Sequence, residues 1–177
     1  MDKDALKDIE NAIGIYDSVI HTDNEALNVI LTEKSMLCEK DEISLTCMIE
    51  SGNVDFMAPS DIYSLFGNAL DNAIEAVCKI ESPDYRNISV NVKRKGNFLA
   101  FHIENYFKGD LVLDNGIPRT IKSDKNSHGF GMKSMKMIAE KYKGNLAVEI
   151  EQNVFHLTII IPIPKVTDFS QPGQNER

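Results

Sequence analysis

The stretch LFGNALDNAIEA, residues 65–76, decides the fold of this chain. Its apolar residues recur every three or four positions, which is the spacing of a helix face packed on a core. Pro59 marks the start of this helix, and the pattern continues through Ile80. Asn68 and Asn72 lie four residues apart, so both carboxamides leave the same side of the helix.

Two carboxamide oxygens one turn apart suit Mg²⁺, which takes near-octahedral oxygen ligands and keeps several waters. A second segment, HGFGMKS at residues 128–134, places Gly129 and Gly131 where a loop becomes a helix. Bare backbone amides at a helix start favour phosphate. Each segment has a second interpretation: the carboxamides face solvent or cap a loop, and the glycines serve only steric needs. Taken together, the two segments predict a magnesium nucleotide site.

Composition predicts one acidic, cytosolic domain. The 177 residues are 42% hydrophobic and carry a formal net charge of -8, so one well-packed core is expected and nucleic acid is not expected as a partner. Cys38, Cys47 and Cys78 are odd in number and lie in apolar periodic sequence, which predicts buried free thiols. We find neither a signal peptide nor an apolar run long enough to span a bilayer.

The chain is expected to divide into a helical segment at 1–40, one domain at 41–165 and a disordered tail at 166–177. Residues 6–20 carry apolar side chains at alternating steps of three and four, the spacing of a coiled coil or helical bundle, so this helix needs a partner. It is expected either to lie at a homodimer contact or to be a surface helix packed on its own domain.

Alternating apolar and polar residues predict five strands; they are expected at 42–50, 88–92, 98–103, 145–151 and 154–161. Residues 106–127 have no sustained period and predict a long loop. The last helix is expected from Gly129 to Lys143, with Gly144 as its left-handed stop. The predicted fold class is α+β: a two-layer α/β sandwich whose mixed, mostly antiparallel sheet carries helices on one face.

Residues 65–76 resemble the N box of the GHKL or Bergerat-fold ATPases, and most closely the ATP-binding domain of sensor histidine kinases. Residues 128–134 resemble the second glycine box of that family. TIKSD at 120–124 is similar to the lid of the quorum-sensing, VirS-like subgroup of Gram-positive kinases. The resemblance covers residues 22–162. It implies the Bergerat fold, with ATP bound between the N-box helix and the lid.

Carried over by position, the resemblance implies roles for individual residues. Asn72 would bind Mg²⁺ and Asn68 would assist it, while Gly129 and Gly131 would cradle phosphate. Lys122 would contact the γ-phosphate, unless it is only a solvated loop charge, so Asn68 and Lys122 are the catalytic candidates. The full set of nucleotide-binding candidates is Asn68, Asn72, Asn105, Lys122, His128, Gly129, Phe130, Gly131 and Met132.

Two departures from the family pattern bear on the chemistry of the site. The first glycine box is NYFKG, so Asn105 replaces the carboxylate that binds adenine and would accept a weaker hydrogen bond. Asn68 stands where ATPase members of the family place the glutamate that activates water. Without that base, hydrolysis should be slow, which favours a kinase over an ATPase machine.

None of the four histidines has the position and neighbours expected of a phosphoacceptor. His21 lies at a helix end, His128 either touches phosphate or caps locally, and His102 and His156 are expected to be structural residues in strands. The resemblance therefore implies the catalytic part of a membrane-bound sensor histidine kinase. Its partners would be the dimerisation helix of the parent kinase and, indirectly, a response regulator.

Two other functions remain open. The altered first glycine box fits a degenerate module that has kept the fold for protein interaction or regulation. An anti-sigma serine kinase shares the fold, but its Glu-x-x-x-Asn box is absent here.

Overall fold

The computed structural model describes residues 22–50, 54–109, 113–114, 117–118 and 130–165. The predicted helix at 6–20, the tail and three predicted site residues, Lys122, His128 and Gly129, lie outside these ranges. The described helices are α1 (Glu25–Lys40), α2 (Pro59–Val77) and α3 (Phe130–Lys141), with a 3₁₀ turn at Pro83–Tyr85. No helix in the described ranges has both the length and the apolarity needed to cross a membrane.

The strands form one five-stranded sheet in the order β1-β2-β3-β7-β6 and a separate two-stranded ribbon, β4-β5. Their bounds are β1 Ser44–Ile49, β2 Asn87–Lys95, β3 Phe98–Tyr106, β4 Leu113–Asp114, β5 Ile117–Pro118, β6 Asn145–Glu151 and β7 Val154–Pro162. The pair β1-β2 is parallel, and the other pairs are antiparallel. This confirms the predicted mixed, mostly antiparallel sheet.

The ribbon β4-β5 lies in the segment that was predicted to be only a loop. Each of its strands has two residues, which is too short for a period of two to stand out in the sequence. The expectation of an entirely irregular segment was therefore wrong at this point.

One face of the sheet packs against the helices. In β3, every second residue from Leu99 to Asn105 is buried. The residues between them point to the other side of the sheet and are partly or fully exposed. Phe101 meets Phe66 of α2 edge to face, with ring centroids 5.5 Å apart. Both rings are fully buried, and burying one such side chain stabilises the fold by roughly 1.5–3 kcal/mol.

The helix starts follow from local chemistry. The Asn24 side chain accepts a hydrogen bond from the Leu27 amide at 3.0 Å and caps α1, as Asn favours. Pro59 is the first residue of α2, where a missing N–H costs nothing. That helix ends at Val77 rather than at Ile80, and a turn follows it.

The prediction that Gly144 takes a left-handed conformation was wrong. The left-handed residue after α3 is Lys143, with φ 59°. Gly144 is needed for space, because a Cβ there would lie 2.4 Å from the Ile160 carbonyl oxygen of β7. The Gly144 amide donates to the Ala139 carbonyl at 2.8 Å and closes the helix.

The cysteines are free, as predicted, but only Cys38 is fully buried. Cys47 is partly buried and Cys78 is exposed, so the prediction of three buried thiols was wrong for Cys78. Burial raises the pKa of Cys38 and of Cys47 to about 11, which keeps both as unreactive thiols at neutral pH.

Candidate functional site

Helices α2 and α3 pack antiparallel, and their contacts fix which residues meet. Near the start of α2, Asp61 Oδ2 accepts a hydrogen bond from the Tyr142 hydroxyl at 2.6 Å. One turn later, the hydroxyl oxygens of Ser64 and Ser134 lie 3.4 Å apart. Asn68 then lies beside the first turn of α3. Successive turns of α2 therefore meet successively earlier turns of α3.

The Asp61 contact holds the two helices together at the end of the pair that lies away from Asn68. Lys141 and Tyr142 hydrogen-bond the Asp61 carboxylate and lower its pKa. The Tyr142 hydroxyl also accepts from the Ala58 amide at 2.8 Å, just before α2 begins. Because the folded-state pKa is lowered, this stabilisation is present above the ordinary pKa of Asp and is lost as the pH falls through the lowered value.

Asn68 is oriented by its own helix. Its Nδ2 donates to the Ser64 carbonyl oxygen at 2.7 Å and reaches the Ser64 hydroxyl at 3.3 Å. Its Oδ1 faces Gly131, where an added Cβ would lie only 3.2 Å from that oxygen. The glycine is thus what lets the first turn of α3 approach the carboxamide so closely.

Replacing Gly131 with alanine should weaken magnesium-dependent nucleotide binding about tenfold without lowering the melting temperature. The new methyl group would push the Asn68 amide by a few tenths of an ångström, whereas alanine is at least as favourable as glycine in a helix. The affinity is measured by isothermal titration calorimetry with Mg-ADP, and stability by thermal unfolding.

Gly67→Ala is the matched control on α2. A Cβ at Gly67 would meet only the Ile30 methyl group, at 3.7 Å, so this variant should gain helix propensity and keep its affinity. Equal affinities for the wild type and both variants would contradict the role assigned to the contact between Gly131 and Asn68.

Asn72 lies one turn past Asn68, about 6 Å further along the axis of α2. It is partly buried, and its side chain has no hydrogen bond to any residue in the described ranges. Because α3 begins at Phe130, opposite Asn68, the positive N-terminal end of α3 is directed toward the turn that carries Asn72. Asn68 Oδ1 lies against Gly131, so Asn72, one turn further along α2, is the carboxamide beyond this contact.

Asn105 lies on the helix-covered side of β3 and is only 4% exposed. Its Nδ2 donates to the Tyr106 carbonyl oxygen at 2.8 Å. That bond fixes the amide group, and the carbonyl oxygen remains as the side-chain acceptor.

The two residues that flank Gly131 differ in environment. Met132 is buried in the core, whereas the Phe130 ring is 67% exposed at the start of α3. Met132 therefore anchors the helix, and Phe130 is the side chain of this turn that an incoming ligand could reach.

Sequence reasoning missed a buried cation beside the N box. Lys34 of α1 is 7% exposed, and its Nζ lies 2.8 Å from Asp71 Oδ1 and 3.1 Å from Glu33 Oε1. Burial disfavours the charged form, but the two carboxylates outweigh it and raise the pKa of Lys34. The ion pair with Lys34 holds the Asp71 carboxylate, next to Asn72 in the chain, against α1. A lysine on the apolar stripe of α1 was the sequence signal.

Two of three comparisons with known proteins give a match. A family profile described as a GHKL domain matches residues 57–162. The comparison with curated proteins returns no match. Among solved structures, a nucleotide-free form of the catalytic domain of histidine kinase ThkA is similar, with TM-score 0.59 and 16% identity over 81% of this chain and 94% of that one.

The Acinetobacter baumannii histidine kinase AdeS is also similar, with TM-score 0.59 and 13% identity over 90% of this chain and 77% of that one. At such low identity these likenesses show the fold, and they agree with the five-stranded sheet and its helices. Because the family profile spans more than half of the 177 residues, the chain belongs to the GHKL domain family.

Proposed function

We propose that this chain is the ATP-binding catalytic domain of a two-component sensor histidine kinase. The observation that carries the proposal is the approach of the first turn of α3 to the N box, with Asn68 Oδ1 against Gly131. The GHKL family and the likeness to histidine kinase catalytic domains support it. The TIKSD segment favours the quorum-sensing, VirS-like Gram-positive subgroup.

The donor atoms suit a hydrated Mg²⁺ ion. Asn72 offers a side-chain oxygen with no hydrogen bond to the described residues, and Asn68 has an oriented oxygen one turn away. When bound, Mg²⁺ would supply positive charge that neutralises the phosphates. Asn72 would hold the ion directly, and Asn68 would position its waters.

Phosphate binding is assigned to the start of α3. The first-turn amides of a helix carry partial positive charge that favours phosphate, and the missing Cβ of Gly131 lets Asn68 lie against this turn. Gly129 and His128, just before this turn, and Lys122 in the lid are proposed to complete the phosphate contacts. The carbonyl oxygen of Asn105 is proposed to accept from the adenine amino group.

The site disfavours hydrolysis. Asn68 offers no carboxylate to activate water, and the Asp71 carboxylate is paired with Lys34. The γ-phosphoryl group is therefore retained for transfer to a histidine. We assign that histidine to a dimerisation helix of the parent kinase, from which a response regulator would be phosphorylated. The 6–20 helix would join two copies, on the cytoplasmic side of a membrane-bound sensor.

The first test is thermal unfolding with and without Mg²⁺ and ADP. A ligand that binds only the folded state raises the transition, by about 2.7 kcal/mol in stability at 100 times Kd. The second test supplies a histidine-bearing dimerisation hairpin and ATP labelled at the γ-phosphate, and predicts an acid-labile, base-stable phosphoryl group on the hairpin. No melting shift at millimolar nucleotide would overturn nucleotide binding; a shift without transfer would overturn the kinase assignment alone.

A degenerate interaction module is the second candidate. The burial of Asn105 and its bond to the Tyr106 carbonyl favour it, because an amide used structurally binds adenine weakly. On this reading Mg-ADP leaves the melting temperature unchanged, and Asn72→Ala has no effect on any interaction with a partner protein.

A further inference from the structure

The open face of the sheet carries a cluster that the nucleotide site does not use. His102 and Glu104 lie two residues apart on β3, so both side chains leave the face that the helices do not cover. His156 of β7 is the cross-strand partner of Glu104 and lies on the same face. The three side chains are partly buried, with 37%, 38% and 22% of their surface exposed in that order.

The three side chains converge on one point. Glu104 Oε1 lies 2.6 Å from His102 Nε2 and 3.0 Å from His156 Nδ1. One ligand atom from each residue lies within 4.8 Å of the other two. The two imidazole rings stack with centroids 5.7 Å apart and planes inclined by 23°, so both rings are held in a fixed orientation.

The three ligand atoms are close enough together to share one ion. Two ring nitrogens directed at one carboxylate oxygen must each present a proton or share a cation. Imidazole nitrogens with one carboxylate are a typical ligand set for Zn²⁺.

The ring of His102 is also held from its other side. His102 Nδ1 hydrogen-bonds the Thr158 hydroxyl at 2.9 Å, and a metal-bound histidine almost always bonds a neighbour through its other nitrogen. This bond leaves Nε2, the nitrogen that faces Glu104, to act as the ligand. Asn91, the cross-strand partner of His102, has a buried Oδ1 with no hydrogen-bond partner among the described residues.

We propose that His102, Glu104 and His156 bind a divalent transition-metal ion, with Zn²⁺ as the ion used to test it. Zinc bonds of 2.0–2.1 Å hold neighbouring ligand atoms about 3.3 Å apart in a tetrahedron, so the atoms at 2.6 and 3.0 Å need to separate only slightly. The fourth position of a tetrahedral ion would be open to water. Because Mg²⁺ prefers oxygen ligands, this site is separate from the nucleotide site.

The test is a zinc titration of the untagged chain in competition with a chromophoric chelator. The wild type should bind one Zn²⁺ ion here, and excess Mg²⁺ should not displace it. His102→Ala, His156→Ala and Glu104→Gln should each lower the zinc affinity at least tenfold, and Thr158→Val about tenfold through the outer hydrogen bond. Co²⁺ should give the intense visible absorption of a four-coordinate ion.

Two controls separate this site from others. Glu151→Gln removes an exposed carboxylate from β6, the strand next to β7 in the same sheet, and should leave the zinc affinity unchanged. A double variant, His21→Ala with His128→Ala, removes the remaining histidines and should also bind zinc normally. The proposal is overturned if the wild type binds no zinc in the micromolar range, if binding survives in His102→Ala and His156→Ala, or if it is lost in the double variant. If a variant does not fold, the wild type still tests the proposal. A cobalt spectrum that lacks the absorption of a four-coordinate ion overturns it.

Discussion

Replacing Asn72 with alanine is expected to lower the affinity for Mg-ADP about 100-fold, close to 2.8 kcal/mol, while the melting temperature of the free protein stays the same. The side chain is partly buried and makes no hydrogen bond to the described part of the chain, so its removal breaks little in the fold. What it removes is the side-chain oxygen assigned to the ion, at the position toward which the N-terminal end of α3 is directed.

The measurement is isothermal titration with Mg-ADP, repeated with EDTA. The wild type should lose most of its affinity in EDTA, and Asn72→Ala should be weak in both conditions. Asn145→Ala, an exposed amide at the start of β6, is the control and should bind as the wild type does. If Asn72→Ala keeps wild-type affinity and its dependence on magnesium, the ion is held elsewhere.

Gly144→Ala is expected to destabilise the fold by about 3 kcal/mol, through overpacking at a backbone contact. The new Cβ would lie 2.4 Å from the Ile160 carbonyl oxygen and 3.1 Å from that of Ala139. Neither oxygen can move freely, because one belongs to β7 and the other accepts the bond that closes α3. Equilibrium unfolding in urea measures the change.

Lys143→Gly is the complementary variant. Lys143 is the residue with a positive φ, and glycine there should stabilise the fold by about 1 kcal/mol, since the left-handed conformation costs glycine little. If Gly144→Ala is neutral and Lys143→Gly destabilises, the assignment of these two positions after α3 is wrong.

The helices and the five strands of the main sheet could be predicted because each buries one face. The apolar stripe of α2 and the alternation from Leu99 to Ile103 mark which side chains enter the core. The end of α3 was not readable in this way. Whether Lys143 or Gly144 takes the left-handed conformation depends on how closely β7 approaches, and that is set by tertiary packing.

The site could be predicted in its parts but not in its contacts. The residue types at Asn68, Asn72 and Gly131 indicated metal and phosphate chemistry. Asn68 and Gly131 meet because α2 and α3 pack antiparallel. The sequence pattern of a single helix does not predict how that helix packs on another. The cluster at Glu104 was missed for a similar reason, since His156 reaches it only through the register of β3 and β7.

The central claim is that the N box and the first turn of α3 form one nucleotide site. Titrating ¹⁵N-labelled protein with Mg-ADP and following the backbone amide resonances tests it directly. The account predicts that, among the described residues, the largest changes fall between Asn68 and Asn72 and at residues 130–132. Saturable changes confined to the open face of the sheet, or no change at those two segments with millimolar Mg-ADP, would contradict it.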